Sequence, residues 1–389
     1  MKEEELIELS VVMPCLNEVE TLATCIKKAQ NSFKELGVKG EVIIGDNGSS
    51  DGSIESAEKN GARVIHQKLK GYGNALRAGI DAARGKYVIM GDADDSYDFS
   101  KLAGILAKLR EGFELVMGCR MPRGGGTLMP GAMPALHKYF GNPFLSWVGR
   151  IFFKSKIVDF NCGLRGFSKE AYDTMNLNTT GMEFASEMVI KSTLLGKKVT
   201  NVPITLHPDG RSRAPHLRSW RDGWRNLRFM LLYSPKWLFF YPSYFLLAFG
   251  LAVMALVIPG PFVIGKIHFD TNTLMIGSLS VIVGLQAFVF AIFSRIFAES
   301  EGFLPKDPKF TRLGKRLTLE TGLFVGGIFL FLGLFFIGGT IWWWSTLNFG
   351  DLPRDVVLRI IIPAITAIVI GAQIIFSSFF VSFLTLERK

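Results

Sequence analysis

The sequence predicts an α/β domain with a mostly parallel sheet and helices on both faces, followed by an all-α membrane domain of four helices. Three observations predict it. Strand-like apolar runs alternate with helical patterns through the first half of the 389 residues. Four later stretches are almost uncharged and reach the length that crosses a hydrocarbon core, roughly 20 residues. Polar clusters rich in acids fall where three of the strand-like runs end.

Taken in order, the first half reads LSVVMPCL as a strand, a helix from about Val19 to Leu36, EVIIGDN as a strand, and a helix starting near Asp51. RVIHQ is the next strand and GNALRAGIDAARG the next helix. KYVIMGD, a helix from Ser100 to Glu111, and FELVMGCR complete the series. Continuous apolar strands in βα alternation argue for a parallel sheet covered by helices. Such sheets bind ligands beyond the carboxyl ends of their strands. The clusters PCLNE (14 to 18), DNGSSDGS (46 to 53) and DADDS (92 to 96) all fall there, so separate strands deliver acids to one edge of one sheet.

Hard oxygen ligands suit Mg²⁺ or Mn²⁺, and Mg²⁺ takes one or two carboxylates while substrate phosphates complete its shell. Gly and Ser around Asp46 permit tight turns, and the helix beginning near Asp51 offers free backbone N–H groups to an anion. A nucleoside diphosphate fits this edge. A dinucleotide site does not: GYGNAL is a poor match to the glycine fingerprint and lies on the third unit.

The near-uncharged stretches are approximately 237 to 259, 271 to 294, 321 to 344 and 360 to 384, with connectors too short to enclose them in a soluble core. The sequence thus divides into a globular domain (1–212), a juxtamembrane region (213–236) and a membrane domain (237–389). MKEEELIELS is acidic and lacks the basic-then-apolar layout of a signal peptide. The connector RIFAESEGFLPKDPKFTRLGKRLTLE carries six Lys or Arg, whereas GKIHFDTN carries one. Under the positive-inside rule the globular domain and both termini are expected in the cytoplasm. The net charge of +10 is concentrated beside the spans, where anionic lipid is a simpler partner than nucleic acid. In LRSWRDGWRNLRFMLLYSPKW, Leu217, Trp220, Trp224, Leu227 and Leu231 recur at helical spacing beside a basic stripe of Arg218, Arg221, Arg225 and Arg228. An amphipathic helix of that composition is expected in the membrane interface. Cys15, Cys25, Cys119 and Cys162 show no zinc spacing and are expected to be reduced.

PCLNE, DNGSSDGS, GYGNALRAGIDAARGKYVIMGDADD and FNCGLRGFSKEAY, in that order, resemble the family 2 glycosyltransferases of GT-A fold. More narrowly, the chain is similar to the polyprenyl-phosphate glycosyltransferases, the group of dolichol-phosphate mannose synthase, over roughly residues 8 to 236. The resemblance implies inverting transfer of a hexose from UDP-glucose or GDP-mannose to undecaprenyl or dolichyl phosphate. It implies that Asp46 contacts the nucleotide base in a pocket lined by Pro14, Leu16, Asn17 and Glu18. Asp92 and Asp94, with Ala93 between them, match the motif that holds Mg²⁺ or Mn²⁺ and the donor diphosphate. It further implies that Arg120 and Arg211 contact phosphate, with Arg165 and Arg213 as additional substrate-binding candidates and Asp159 as either a ligand or the partner in a buried ion pair. The chain departs from the family pattern at Asn47, where relatives often have a second Asp, and at Leu16, where many have Tyr.

A phosphate acceptor is already anionic, so a strong general base can be dispensed with. The task is then electrostatic, with metal and cations stabilising the leaving diphosphate, and the fork of Arg suits bidentate phosphate binding. The alternatives are a glycosyltransferase with another lipid hydroxyl acceptor and a non-catalytic membrane scaffold. A processive synthase is disfavoured, since LRSWRDGW lacks the QxxRW order. Glu183 and Glu187, four apart, are expected on one helix face near the site. The Gly-rich MPRGGGTLMPGAMPALHK reads as a mobile lid. Assembly into homo-oligomers is left open.

Overall fold

The computed structural model describes residues 6–212, 219–308, 310 and 318–385. The chain forms two compact units, residues 1–230 and 231–389.

In the first unit, β1 (Leu9–Cys15) is buried along almost its whole length, as its unbroken apolar run requires. It pairs in parallel with β2 (Gly40–Asp46) on one side and β4 (Tyr87–Met90) on the other. β3 (Arg63–His66) extends the sheet beyond β2. On the other flank lie β7 (Arg165–Ser168), β5 (Leu115–Cys119) and β8 (Val199–Pro203). The order is β3-β2-β1-β4-β7-β5-β8, and β7 alone runs antiparallel to its neighbours. The sheet is therefore mixed and mostly parallel. β7 falls within FNCGLRGFSKEAY, and its four residues are too few to show a strand period in the sequence.

The register fixes the site. Cys15 stands opposite Asp46, and Val12 opposite Met90, so β1, β2 and β4 finish at one edge. Helices flank the sheet: α1 (Leu22–Leu36) buries Leu22, Cys25, Ile26, Ala29 and Phe33, an apolar stripe at helical spacing. α2 (Ser53–Lys59), α3 (Tyr72–Asp81) and α4 (Ala103–Arg110) follow β2, β3 and β4 in turn. Gly71, before α3, has φ +135°, and an added Cβ there would lie 2.3 Å from the carbonyl oxygen of Thr180. Only glycine lets that loop reach the helix start.

The segment expected to be a mobile lid is partly pinned. β6 (Thr127–Leu128) pairs in parallel with β9 (Thr205–Leu206), the Thr127 N–H donating to Ile204 O at 3.0 Å and the Met129 N–H to Leu206 O at 3.0 Å. Gly-rich composition here serves close backbone approach. After it come α5 (Asn142–Phe153), α6 (Lys169–Met175), α7 (Glu183–Leu194) and α8 (Ser219–Leu232).

In the second unit, four helices among the described residues are long and apolar enough to cross a membrane: Lys236–Val257, Thr271–Ser300, Leu319–Thr346 and Arg354–Leu384. We label the regular parts α9 (Tyr241–Val257), α10 (Thr271–Ser300), α11 (Leu319–Thr346) and α12 (Arg354–Leu384). A small hairpin, β10 (Phe262–Ile264) and β11 (Ile267–Phe269), joins the first two. α10 and α12 outrun the apolar stretches because helix continues into polar sequence, α10 at its end as far as Ser300 and α12 at its start directly after Pro353. Small residues let the helices approach: an added Cβ on Gly333 of α11 would lie 2.6 Å from Ala364 O of α12. Polar side chains are paired between α10 and α12, Ser278 with Thr366 at 2.6 Å and Gln286 with Gln373 at 3.1 Å. Phe324, Phe331, Phe335 and Phe376 are exposed, as lipid-facing side chains would be.

Candidate active site

Asp92 and Asp94 follow the end of β4. The Asp92 carboxylate accepts a hydrogen bond from Tyr72 Oη at 2.9 Å, and an added Cβ on Gly163 would lie 2.7 Å from its other oxygen. Burial, with the charge of Asp94 beside it, pushes the Asp92 carboxyl up to about 6. Asp94 accepts from Ser96 N at 3.1 Å and Ser96 Oγ at 2.6 Å. Its second oxygen accepts from Arg211, which also donates to Glu18 at 3.1 Å. Ala93 is buried, and its carbonyl accepts from Thr21 Oγ1 at 2.6 Å. Asp95 has a left-handed φ of 62° and pairs with Lys28 at 2.7 Å, so its charge is matched away from the other two.

A cleft of about 310 Å³ opens on these carboxylates. Of the residues expected from sequence, it brings together Pro14, Leu16, Glu18, Asn47, Asp92, Ala93, Asp94 and Arg211. Asn17 lines an adjoining hollow of about 270 Å³ with Glu18, Asp51 and Arg211. Its left-handed φ of 59° turns its Oδ1 to accept from Ser50 N at 2.8 Å. Asp46, expected to contact the nucleotide base, is buried and does not line the cleft. Its oxygens accept from Gly48 N and Ser49 N, both at 3.0 Å. Burial raises its carboxyl, but the Ser49 hydroxyl, these two N–H groups and His66 together outweigh burial and hold it below the usual range. Asn47 pins the loop ahead of α3: its Nδ2 donates to Gln67 O and Leu69 O, and its Oδ1 accepts from Gly71 N at 2.7 Å. The departure from Asp is thus physically intelligible, because an acid could not donate both of the first two bonds.

Two further expected residues are placed away from the cleft lining. Arg120 ends β5 buried in a bidentate pair with Asp159, at 2.8 and 2.9 Å. It satisfies a fully buried carboxylate and does not line the cleft. Arg165, with 0% exposure, donates to the carbonyls of Ala185 (2.5 Å) and Cys162. Its guanidinium therefore joins β7 to α7 and does not line the cleft. Arg213 lies outside the described residues, as do Leu217 and Arg218 of the interfacial stripe. Glu183 and Glu187 also diverge. Glu183 pairs with Arg225, whereas Glu187 is fully buried, pairs with Lys191 at 2.9 Å and accepts from Thr179 N at 2.9 Å.

Sequence reasoning missed Tyr72, Met182, Arg221 and Arg225 as lining residues. Tyr72 sits in the GYGNAL motif weighed for a dinucleotide. The arginines sit in the stripe assigned to lipid headgroups.

The cleft joins three carboxylates to three arginines, an arrangement suited to a metal–phosphate ligand. Among the described residues no group of three or more His, Cys, Asp or Glu side chains is set to hold a metal alone. Two neighbouring carboxylates, one raised by burial and by the other's charge, fit a hard divalent cation whose remaining ligands come from a bound phosphate.

Residues 10–174 match the family model for glycosyl transferase family 2, and residues 292–385 match that for the glycosyltransferase family 2 C-terminal transmembrane region. The chain is 38% identical to the low-salt glycan biosynthesis hexosyltransferase Agl6 of Haloferax volcanii, over 95% of this chain and 87% of that protein. It is 29% identical to the dolichyl-phosphate hexose transferase of the same organism, over 51% of this chain and 82% of that protein. Among solved structures it resembles glucosyl-3-phosphoglycerate synthase from Mycobacterium tuberculosis in complex with Mn²⁺ and uridine diphosphate. That likeness has 20% identity and a TM-score of 0.44, over 58% of this chain and 79% of that one.

Proposed function

The chain belongs to glycosyltransferase family 2 and is a membrane protein, and on that premise we propose that it moves a hexose from UDP-glucose or GDP-mannose to a polyprenyl phosphate, undecaprenyl or dolichyl, with inversion at the anomeric carbon. The observation that carries this reading is the shared cleft of Asp92, Asp94, Glu18 and Arg211 at the strand ends. The relatives named for hexosyl transfer and for dolichyl phosphate support it.

An oxygen of the acceptor phosphate attacks C1 of the sugar as the bond from C1 to the β-phosphate oxygen breaks, and the electron pair leaves with the nucleoside diphosphate. No proton has to be removed from the attacking group. That matters here because the cleft carboxylates already have a use: Asp92 and Asp94 would hold the metal, and Glu18 is paired with Arg211. A hydroxyl acceptor would need one of them as a base, so the phosphate acceptor is favoured. Asp92 and Asp94 would hold Mg²⁺ or Mn²⁺, which supplies charge to the leaving diphosphate. Tyr72 orients Asp92, and Arg211 adds a fixed cation where negative charge develops. In this reading residues 1–212 are the catalytic domain, 213–236 lie at the interface and 237–389 anchor the protein. The catalytic domain and both termini are cytoplasmic, following the charge of the connectors.

The test is transfer of radiolabelled sugar by purified protein from a panel of UDP and GDP donors to undecaprenyl and dolichyl phosphate, with Mg²⁺, Mn²⁺ or EDTA. One donor should give an acid-labile glycolipid that EDTA abolishes. No product with any polyprenyl phosphate would sink the reading.

A further inference from the structure

Arg221 and Arg225 lie four residues apart on α8, so they share one side of that helix, and both line the cleft. The rotation of the helix is fixed by Asn226. Its Nδ2 donates to Asn161 Oδ1 at 2.7 Å, and its Oδ1 accepts from Ser186 Oγ at 2.9 Å. Phe229 and Met230 are buried, while Trp220 and Trp224 are 78% and 62% exposed. The apolar face that suits a membrane interface is therefore separate from the arginines that face the cleft.

Arg225 is placed with care. Its Nε donates to Glu183, whose side chain is 14% exposed, while its own is 50% exposed. An added Cβ on Gly181 would lie 2.7 Å from Arg225 Nη2, so the guanidinium rests against the loop whose Thr180 carbonyl accepts from Asn74 N in α3. A side chain meant only for lipid headgroups needs neither a carboxylate partner nor a backbone seat. Arg211 is already paired with three carboxylates, Glu18, Asp94 and Asp209, so two anionic substrates meeting here need further positive charge.

We propose that Arg221 and Arg225 bind the phosphate monoester of the acceptor inside the cleft, with Glu183 orienting Arg225 toward it. This rests on the reading that the acceptor is a prenyl phosphate. The donor diphosphate carries the same chemistry, so the test separates the two.

Binding of farnesyl phosphate and of UDP or GDP is measured separately, without turnover, on the full-length protein in detergent. The variants are Arg221→Ala, Arg225→Ala and Arg225→Lys, with Arg228→Ala as a control, an exposed residue of the same stripe that does not line the cleft. Loss of a charge-assisted bond should weaken farnesyl phosphate binding roughly ten- to a hundredfold in each alanine variant of the pair, with nucleotide affinity held within about twofold. Arg225→Lys should recover part of the loss, because charge remains while the fork is lost. Burial of all four cysteines in a thiol-dye assay checks that each variant is folded.

Unchanged farnesyl phosphate affinity in both alanine variants would overturn the proposal. So would loss of nucleotide affinity in its place, which assigns the arginines to the donor, or an equal loss in Arg228→Ala, which assigns them to general surface charge. Wild-type protein that binds farnesyl phosphate through these arginines but transfers no sugar to it would leave the site standing and overturn the proposed reaction instead. Wild-type protein that binds no prenyl phosphate would overturn both.

Discussion

Asp92→Asn should make the metal-free protein more stable while abolishing its response to metal and nucleotide. Asp92 carries a carboxyl raised from 3.8 to about 6 by burial and by Asp94. A rise of about 2 pH units corresponds to roughly 3 kcal/mol against the ionised form at neutral pH. Because Asp92 lines an open cleft, water and counterions screen part of that, and about 1–2 kcal/mol is the expected gain. Asparagine keeps the shape and still accepts the Tyr72 hydroxyl proton. For a unit of this size the gain is a melting shift of roughly 2–8 °C. The sign follows from linkage: a carboxyl with a raised folded pKa costs stability once ionised, so the advantage of the variant should shrink as pH falls through 6. All four cysteines are buried and lie in the first unit, so a thiol-reactive dye reports the unfolding of that unit in the intact protein. In EDTA the variant should melt above wild type. With Mn²⁺ and UDP only wild type should gain stability, by about 2.7 kcal/mol at a hundredfold excess over Kd. A variant that melts at or below wild type in EDTA would show that the buried charge of Asp92 costs the fold nothing, and one that keeps the ligand shift would show that Asp92 does not hold the metal.

Three further outcomes are expected. Since no three-ligand group is present among the described residues, Mn²⁺ should bind weakly alone and at least about tenfold more tightly with UDP or GDP bound; equal Mn²⁺ affinity by titration with and without nucleotide would contradict this. Metal-dependent nucleotide binding should fall as pH drops through about 6, where Asp92 takes up a proton, and a flat profile between pH 5 and 7.5 would count against Asp92 as a ligand. Arg120→Ala, which strands the fully buried Asp159 carboxylate, should cost roughly 3–5 kcal/mol, and Arg120→Met with Asp159→Leu should recover most of it. Normal melting of Arg120→Ala with a selective loss of acceptor binding would show that its guanidinium reaches substrate.

The βα alternation and the acids at 46, 92 and 94 were legible because strand period and polar termini are local properties. The four membrane helices were equally legible, since 20 apolar residues in a row leave few alternatives. β7 was not: four residues in an antiparallel insertion carry no period, and the pairing with β4 and β5 is long-range. The arginines show the same limit more sharply. Arg120, Arg165, Arg221 and Arg225 have one chemistry, yet Arg120 and Arg165 are sealed inside by Asp159 and by backbone carbonyls, while the other two line the cleft. Their fates depend on partners forty residues away, such as Asp159 and Glu183, which composition and spacing do not encode. Asn47 is a gentler case, because its role becomes plain only when the carbonyls of Gln67 and Leu69 are seen to need a donor.

In the proposed reaction a phosphate oxygen, not a hydroxyl, attacks the sugar. The most direct measurement is coupled ¹H and ³¹P NMR of the lipid product formed from the active nucleotide sugar. Phosphorus coupled to the anomeric proton, with configuration inverted relative to the donor, is expected; a glycoside with no phosphorus on C1, or retained configuration, would rule out inverting transfer to a phosphate oxygen.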